Sequence, residues 1–154
     1  MNSSVTQNSS NAIQGIGPSD FDGFWIETEH HQSWLKADAV RQLNFFRSSY
    51  NSDGGFHQLD GDGKQRVGVA QELFATTRLI HSFAIGKLFG IDDCDAMVDH
   101  GMRYLRDHHH DPLHGGYVWS LKAGKVYDDR KLAYGHAFVL LAAASAKQAG
   151  HPYA

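Results

Sequence analysis

The chain has 154 residues, of which 42% are apolar, and this is enough to bury the core of one domain. Its formal net charge is -3 and its 14 lysines and arginines are scattered, so the sequence carries no basic patch for nucleic acid or for an anionic membrane. No apolar run approaches the roughly 20 residues that span a bilayer, and the N-terminus lacks the features of a secretion signal. We therefore expect a cytoplasmic globular protein.

Four helices and two hairpins are predicted after a polar start. Residues 1–20 are rich in Ser and Asn and lack a hydrophobic period, so we expect a mobile tail there and one domain over residues 21–154. Apolar residues at helical spacing alternate with clusters of turn-forming residues in that domain. The predicted helices cover residues 28–47, 67–88, 92–106 and 129–148, and the predicted hairpins cover residues 56–63 and 117–125.

The sequence repeats itself at a spacing of about 60 residues. A Gly-Gly-aromatic run at residues 54–56 recurs at residues 115–117. In the helices that follow these runs, Phe74 falls opposite Tyr134. Repeats of this kind are supersecondary units that stack to bury their faces. We therefore expect an array of helix pairs with both hairpins at the same end.

The last predicted helix is rich in alanine, which allows neighbouring helices to approach closely. An open array of four helices would still expose the apolar face meant for a further pair, so we expect self-association through an exposed helix face. The residues assigned to the buried face of this helix are Leu132, Ala133, Ala137, Leu140, Leu141 and Ala144.

Arg78 is a candidate site residue in the middle of the second helix. A guanidinium among apolar neighbours must reach solvent or find an anion, because a buried unpaired charge costs several kcal/mol. One reading is a structural ion pair with an acid such as Glu72, and the other is an active-site cation. Gln71 lies on a similar face of the same helix and is placed to help bind a polar ligand.

Three further candidates lie around the second hairpin and the start of the last helix. Tyr134 and His136 fall in the first turns of that helix, where donors can meet a sugar hydroxyl or a developing oxyanion. The alternatives are a core tyrosine whose hydroxyl reaches solvent and a histidine bonded to nearby backbone. Trp119 on the hairpin either stacks on a sugar ring or covers the end of the helix array.

Two other patterns do not predict a metal site. His108, His109 and His110 are adjacent and point in different directions, and with His114 they lack a carboxylate or cysteine at closed-site spacing. Residues 60–63 have the start of a calcium loop without its later positions or closing Glu, so they are read as a turn.

Five runs resemble the N-terminal part of the N-acylglucosamine 2-epimerase superfamily, especially its aldose-ketose isomerase branch, to which mannose and sulfoquinovose isomerases belong. They cover residues from about 30 to 154 in the family's order. The resemblance implies an all-α fold, a partial (α/α)6 barrel of paired helices around a central pocket. The runs are GGFHQLDGDGK, ATTRLIHSFAIGKLFG, DHGMRYLRD, DPLHGGYVWSLKAGK and KLAYGHAFVLLAAASAKQAGHP.

The resemblance also implies roles for particular side chains. Arg78 is implied to reach the pocket and to bind substrate or stabilise an enediolate, and Tyr134 to face the sugar with His136 nearby. We predict Arg78 and His136 as catalytic residues, and Arg78, Tyr134, Trp119 and Gln71 as substrate-binding residues. The family's acid and base histidines lie in later helices that have no counterpart in this sequence.

The function implied by the resemblance is that of a sugar isomerase or epimerase. It interconverts an aldose and a ketose, such as mannose and fructose, through a cis-enediolate and needs no metal or organic cofactor. The expected partner is a small monosaccharide, with no nucleic acid and no membrane. The alternatives are epimerisation at C2, a non-catalytic carbohydrate-binding helical module, and a helical repeat for protein contacts.

Overall fold

The computed structural model describes residues 24–152 and residue 154, and the tail predicted for residues 1–20 lies outside this part of the chain. The chain divides into two compact units, residues 1–35 and residues 36–154. In the described part of the first unit, the His31 ring lies 3.6 Å from the Trp25 ring and 5.9 Å from the Trp34 ring, measured between centroids.

Four α-helices are present in the described residues, as predicted. A π-helical turn over Leu105–His109 extends the third of them. No helix among the described residues has both the length and the apolar character that crossing a bilayer requires. The helices are α1 (Glu29–Arg47), α2 (Leu73–Leu88), α3 (Cys94–Tyr104) and α4 (Ala133–Gln148).

Three short antiparallel strands form one sheet in the order β1, β2, β3. They are β1 (Gln71–Glu72), β2 (Ser120–Lys122) and β3 (Lys125–Asp128). The helix starts predicted at residues 67 and 129 are too early, because residues 71–72 form β1, which pairs with β2, and residues 129–132, between β3 and α4, are not helical. α2 therefore begins directly after β1, and α4 begins beyond the end of β3.

The second predicted hairpin is confirmed, with its turn one residue earlier than expected. Ala123 and Gly124 have φ angles of 50° and 70° and connect the paired residues Lys122 and Lys125. Two successive residues in the left-handed region suit the twist of a tight antiparallel hairpin. The positive φ angle is more unusual for Ala123 than for Gly124, since non-glycine residues seldom take this conformation.

The first predicted hairpin is a loop rather than a pair of strands. Asp60 Oδ1 accepts hydrogen bonds from the backbone N–H groups of Asp62 and Lys64, both at 2.9 Å. A side chain that bonds to nearby backbone in this way stabilises a turn by itself. Next to the turn, Leu59 and Gln65 form an isolated antiparallel bridge, which is flanked by a bond from the Asp60 N–H to the Lys64 carbonyl at 2.9 Å and one from the Arg66 N–H to the Gln58 carbonyl at 2.8 Å.

The loop that follows α1 (the first loop) and the loop that follows the π-helical turn (the second loop) share one backbone arrangement, which agrees with the repeat read from the sequence. In the first loop the N–H of His57 donates to the carbonyl of Ser49 at 2.7 Å. In the second loop the N–H of Val118 donates to the carbonyl of His109 at 2.8 Å. Both loops lie at the same end of the helices because β1, which closes the first loop, pairs with β2 of the second.

α2 is the central helix and packs against both α3 and α4. Its residues Leu73, Ile80 and Phe83 are fully buried. Glycines allow the close approach of the neighbouring helices. A Cβ atom at Gly101 of α3 would lie 2.5 Å from Ile80 Cγ1, and one at Gly135 of α4 would lie 2.8 Å from Leu73 Cδ2.

The buried face predicted for α4 is wrong. Leu140 is 73% exposed and Leu141 is 39% exposed, and Ala133, Ala137 and Ala144 are also exposed. A helix with apolar residues on all sides has no periodic signal that tells one side from another, so packing against α2 decides which side is buried. The buried residues of α4 are Gly135, Val139, Ala142, Ser145 and Ala146.

His109 is a fully buried histidine in the π-helical turn. Its Nδ1 donates to the carbonyl of Val118 at 3.0 Å, so Nε2 is the unprotonated nitrogen, and this atom has no hydrogen-bond partner among the described residues. Burial lowers the pKa of His109 from 6.5 to about 4, partly opposed by the bond to Val118. The imidazole is therefore neutral in the folded protein at pH 7.

We predict that His109 makes the protein lose stability as the pH falls from about 6.5 to about 4. The unfolded chain takes up this proton near pH 6.5 and the folded chain only near pH 4, so between these values the unfolded state binds more protons. The loss should approach about 3 kcal/mol, at 1.36 kcal/mol per pKa unit. Urea unfolding of wild type and of His109→Gln across this range measures it.

In this experiment His109→Gln should lose less stability on acidification than wild type, whatever its stability at pH 7. Replacement of an exposed histidine, His30→Gln, serves as the control and should keep the wild-type slope. Identical slopes for wild type and His109→Gln would contradict the assignment of this pH dependence to His109.

Candidate functional site

Arg78 and Tyr134 meet between the first turns of α2 and α4. Arg78 Nη2 donates a hydrogen bond to the Tyr134 hydroxyl at 2.9 Å. Both side chains are exposed, so the pair is open to a ligand. Since the phenol oxygen accepts from Arg78, its own proton is available for donation to another acceptor.

Aromatic rings enclose the guanidinium from two sides. Arg78 Cζ lies 4.6 Å from the centroid of the Phe138 ring and 5.4 Å from that of Phe74, which are cation–π distances. Trp119 stacks on Phe74 at 5.5 Å and lies 6.4 Å from the Tyr134 ring. Three of the predicted site residues, Arg78, Tyr134 and Trp119, are thus brought together.

No carboxylate of the described residues forms an ion pair with Arg78, so the structural ion pair with Glu72, one of the two readings of Arg78, is not formed. The positive charge is held in place by a phenol and by ring faces, none of which neutralises it. A polar or anionic group of a ligand can therefore approach the guanidinium without displacing a competing acid.

A cleft of about 410 Å³ runs along α2 beside Arg78. This volume is within the range of small-molecule sites, which are usually apolar with a few polar groups. The polar groups here come mainly from the first loop and from the start of α2. Lining residues include Phe56, His57, Gln58, Gln71, Phe74 and Arg78.

Gln71 is buried at this cleft and its amide is fully engaged. Its Nε2 donates to the carbonyls of Gly54 at 3.0 Å and Phe56 at 3.2 Å, and its Oε1 accepts from the Tyr104 hydroxyl. Burial raises the pKa of Tyr104 to about 12, so this phenol remains a donor. In this arrangement Gln71 positions the first loop, which forms one wall of the cleft.

His136 also uses both of its polar atoms. Its Nδ1 donates to the carbonyl of Leu132 at 3.0 Å, and its Nε2 accepts from the backbone N–H of Tyr117 at 3.1 Å. Of the two readings of His136, the structure matches the histidine bonded to nearby backbone. The ring ties the second loop to the start of α4, and neither nitrogen is free for proton transfer in this arrangement.

The adjacent histidines of the second loop do not form a cluster. His109 is buried, whereas His114 Nδ1 lies 3.2 Å from Asp111 Oδ2. Lys131 Nζ, 2.6 Å from the same oxygen, is the main cause of a pKa of Asp111 well below its usual range. Within residues 24–152 and 154, no group of three His, Cys, Asp or Glu side chains is arranged to hold a metal ion.

Phe74 and Phe138 complete the site and were not singled out as site residues from the sequence. Each lies one helical turn from a predicted site residue: Phe74 precedes Arg78 by four positions and Phe138 follows Tyr134 by four. Residues at this spacing share a helix face. That spacing is the signal that identifies them.

Comparison with known proteins places the chain in a family. Residues 54–154 match the N-acylglucosamine 2-epimerase (GlcNAc 2-epimerase) family. The chain belongs to the N-acylglucosamine 2-epimerase family. Similar proteins include the D-mannose isomerase of Thermobifida fusca, 41% identical over 129 residues, which are 83% of this chain and 32% of that protein. The D-mannose isomerase of Pseudomonas cannabina pv. alisalensis is 37% identical over 84% of this chain and 31% of that protein.

Solved structures of similar proteins have the same helical arrangement. A crystal structure of D-mannose isomerase matches with a TM-score of 0.70 and 33% identity, over 77% of this chain and 31% of that one. The cellobiose 2-epimerase of Bacillus thermoamylovorans B4167 has the same TM-score at 21% identity, over 79% of this chain and 33% of that one, which shows the fold alone. The chain spans about a third of the length of the proteins it matches.

We predict that Gly116→Ala destabilises the protein more than Gly115→Ala does. Both glycines have positive φ, 75° and 69°, so both substitutions should cost about 1–2 kcal/mol for the left-handed backbone. A Cβ atom at Gly116 would also lie 2.8 Å from His136 Nε2, whereas one at Gly115 meets nothing within 4 Å. The displaced histidine should add about 1–3 kcal/mol, measured as the difference between the two variants in urea unfolding.

Gly115→Ala is a matched control because Gly115, the adjacent residue, also has a left-handed backbone, so adding a Cβ atom there has the same conformational cost. Equal free energies of unfolding for the two variants would show that His136 does not hold the second loop.

Proposed function

We propose that the chain is part of a sugar isomerase or epimerase domain and that Arg78 and Tyr134 bind an open-chain monosaccharide. The observation that carries the proposal is the hydrogen bond between these two side chains at the start of adjacent helices. It joins the Arg78 guanidinium, whose charge is not neutralised by any carboxylate in the described part of the chain, to the Tyr134 phenol, which is a second hydrogen-bond donor. Sugar oxygens accept from such donors, and Trp119 adds an aromatic face beside them.

In the proposed reaction an aldose and a ketose interconvert through a cis-enediolate. A base removes the proton from C2, the carbon next to the carbonyl, and the electron pair of that bond forms a C1–C2 double bond while negative charge moves to O1. The O2 hydroxyl proton is then transferred to O1 and a proton returns to C1, which leaves the carbonyl at C2. Arg78 and the Tyr134 phenol would stabilise the oxygen on which negative charge develops. The similarity to two D-mannose isomerases, at 41% and 37% identity, supports isomerisation over epimerisation.

A second candidate function is a carbohydrate-binding module without turnover. The observation that favours it is the state of His136, whose two ring nitrogens are both engaged by backbone groups. Under the first proposal a group other than His136 transfers the proton. Under the second, Arg78, Tyr134 and Trp119 bind the sugar and no proton is transferred.

We further propose that residues 21–154 form part of an (α/α)6 barrel. Two helices that each follow an equivalent loop, α2 and α4, support a repeated arrangement of helix pairs. Family members about three times as long support further pairs in the complete barrel. The exposed apolar side of α4 is where a further pair would pack; without that pair, it is the surface through which we expect self-association.

We predict that D-mannose changes the fluorescence of Trp119 and that this change requires Arg78. The other two tryptophans are removed as Trp25→Phe and Trp34→Phe, so that Trp119 alone reports. Arg78→Ala should abolish the response, because it removes the cation. Tyr134→Phe should weaken binding about 2- to 10-fold, corresponding to one hydrogen bond of about 0.5–1.5 kcal/mol.

The control is Arg130→Ala, which removes an exposed arginine whose partner is Asp128 and should leave the titration unchanged. A response that is absent from the parent protein, or the same in Arg78→Ala, would remove the sugar-binding proposal. Binding without formation of D-fructose from D-mannose by NMR would favour the module over the isomerase.

A further inference from the structure

The second loop has a side-chain anchor that the first loop lacks. His109 and Ser49 occupy equivalent positions in the repeat, and the backbone carbonyl of each accepts the N–H that closes its loop. Ser49 Oγ donates back to the carbonyl of Phe46 in the preceding helix at 2.6 Å. His109 Nδ1 instead crosses to the loop and donates to the carbonyl of Val118 at 3.0 Å. The first loop thus shows that this backbone arrangement forms without an imidazole.

The additional bond pairs Val118 with the same residue at both of its backbone polar groups. The N–H of Val118 donates to the carbonyl of His109 at 2.8 Å, and the carbonyl of Val118 accepts from His109 Nδ1. His109 is 0% exposed and Val118 is 4% exposed, so both bonds lie in a region of low dielectric constant, where hydrogen bonds are stronger than in water. Val118 is therefore fixed against the π-helical turn.

The π-helical turn explains how His109 comes to face the second loop. Residues five apart point in different directions in a regular α-helix, yet Tyr104 and His109 are both buried and their rings meet edge to face at 5.6 Å. The wider turn, closed by a bond from the His110 N–H to the Leu105 carbonyl at 3.1 Å, brings them to one side. Turns of this kind are rare and are frequent at functional sites.

The bond to Val118 also orients the next residue, Trp119. The carbonyl of Val118 and the N–H and Cα of Trp119 belong to one planar peptide unit, so fixing the carbonyl fixes the direction in which the chain continues. The carbonyl of Trp119 in turn accepts from the N–H of Leu73 at 2.8 Å. The backbone of Trp119 is thus held between the π-helical turn and the start of α2.

The Trp119 indole lies where a small rotation of this peptide unit would change the site. The ring stacks on Phe74 at 5.5 Å and lies 6.4 Å from the Tyr134 ring. A Cβ atom at Gly135 would lie 3.3 Å from Trp119 Cζ3, so α4 is close to the indole on that side. Rotation would therefore either press the ring against α4 or separate it from Phe74.

We propose that His109 is a positioning residue of the sugar site, which holds the Trp119 indole in place through the carbonyl of Val118. This role rests on the proposed function, since it affects sugar binding only if Trp119 contacts the sugar. His109 is fully buried and acts on the site through Trp119. The donor at Nδ1 is the part of the imidazole that the role requires, so another side chain with a donor at the same place should replace it.

Two substitutions of similar size separate the hydrogen bond from packing. The side-chain amide nitrogen in His109→Asn lies close to the position of Nδ1 and keeps a donor for Val118, whereas His109→Leu has none. Both are made with Trp25→Phe and Trp34→Phe, which leave Trp119 as the single tryptophan. Without sugar, His109→Leu should shift the Trp119 emission to longer wavelength and increase its quenching by acrylamide. His109→Asn should keep the parent values.

Titration of the same proteins with D-mannose measures the effect on binding. His109→Leu should weaken binding about 2- to 10-fold, the loss expected for one hydrogen bond, and His109→Asn should restore most of it. The matched control is Ser49→Ala, which removes the equivalent side-chain bond in the first loop and should change neither the emission nor the affinity. Circular dichroism verifies folding. If His109→Leu does not fold, His109→Ser replaces it, because the first loop has a serine at this position.

Unchanged Trp119 emission and quenching in the folded variant without the donor would overturn the positioning role. An equal change in His109→Asn would also overturn it, because packing of the imidazole and not its hydrogen bond would then hold Trp119. A parent protein that does not respond to D-mannose would remove the proposed function. The emission measured without sugar would still decide whether His109 positions Trp119.

Discussion

The close packing of α2 against α4 is the constraint on which the rest of the site depends. Gly135 allows α4 to approach Leu73, and the N–H of Leu73 is bonded to the carbonyl of Trp119 in the second loop. These two contacts bring the starts of both helices and the Trp119 indole to one place. Arg78 and Tyr134 are 56 residues apart in sequence, and they meet because this packing leaves room for nothing larger than glycine between the helices.

The electrostatics of Arg78 follow from what surrounds it. In the described part of the chain the guanidinium has a phenol and two ring faces as neighbours and no acid, so its position is held without its charge being neutralised. An ion pair would have fixed the side chain equally well, but it would also have competed with a ligand for the same donors. The observed arrangement suits a group that must bind an oxygen on which negative charge appears during a reaction.

Gln71 and His136 show that a polar residue next to a site can have a structural role. Each is bonded to backbone groups of a loop that borders the site, Gln71 to the first loop and His136 to the second. Gln71 is buried, and a buried polar group without partners costs about 1–3 kcal/mol, so its amide is held firmly; the half-buried His136 is held by a backbone group at each ring nitrogen. The two loops are equivalent in the repeat, yet different side chains secure them, which is why the repeat alone did not reveal either role.

The sequence by itself determined the four helices, the 60-residue repeat, the second hairpin and the family, because helical periodicity, paired glycines and ordered motifs are local signals. It also singled out Arg78, Tyr134 and Trp119. Only the tertiary structure decided which side of α4 is buried, because a helix that is apolar all round has no period to read. The partners of Arg78 and of His136 were likewise decided by tertiary structure, since a hydrogen bond between distant residues depends on how helices and loops pack and leaves no pattern in their spacing.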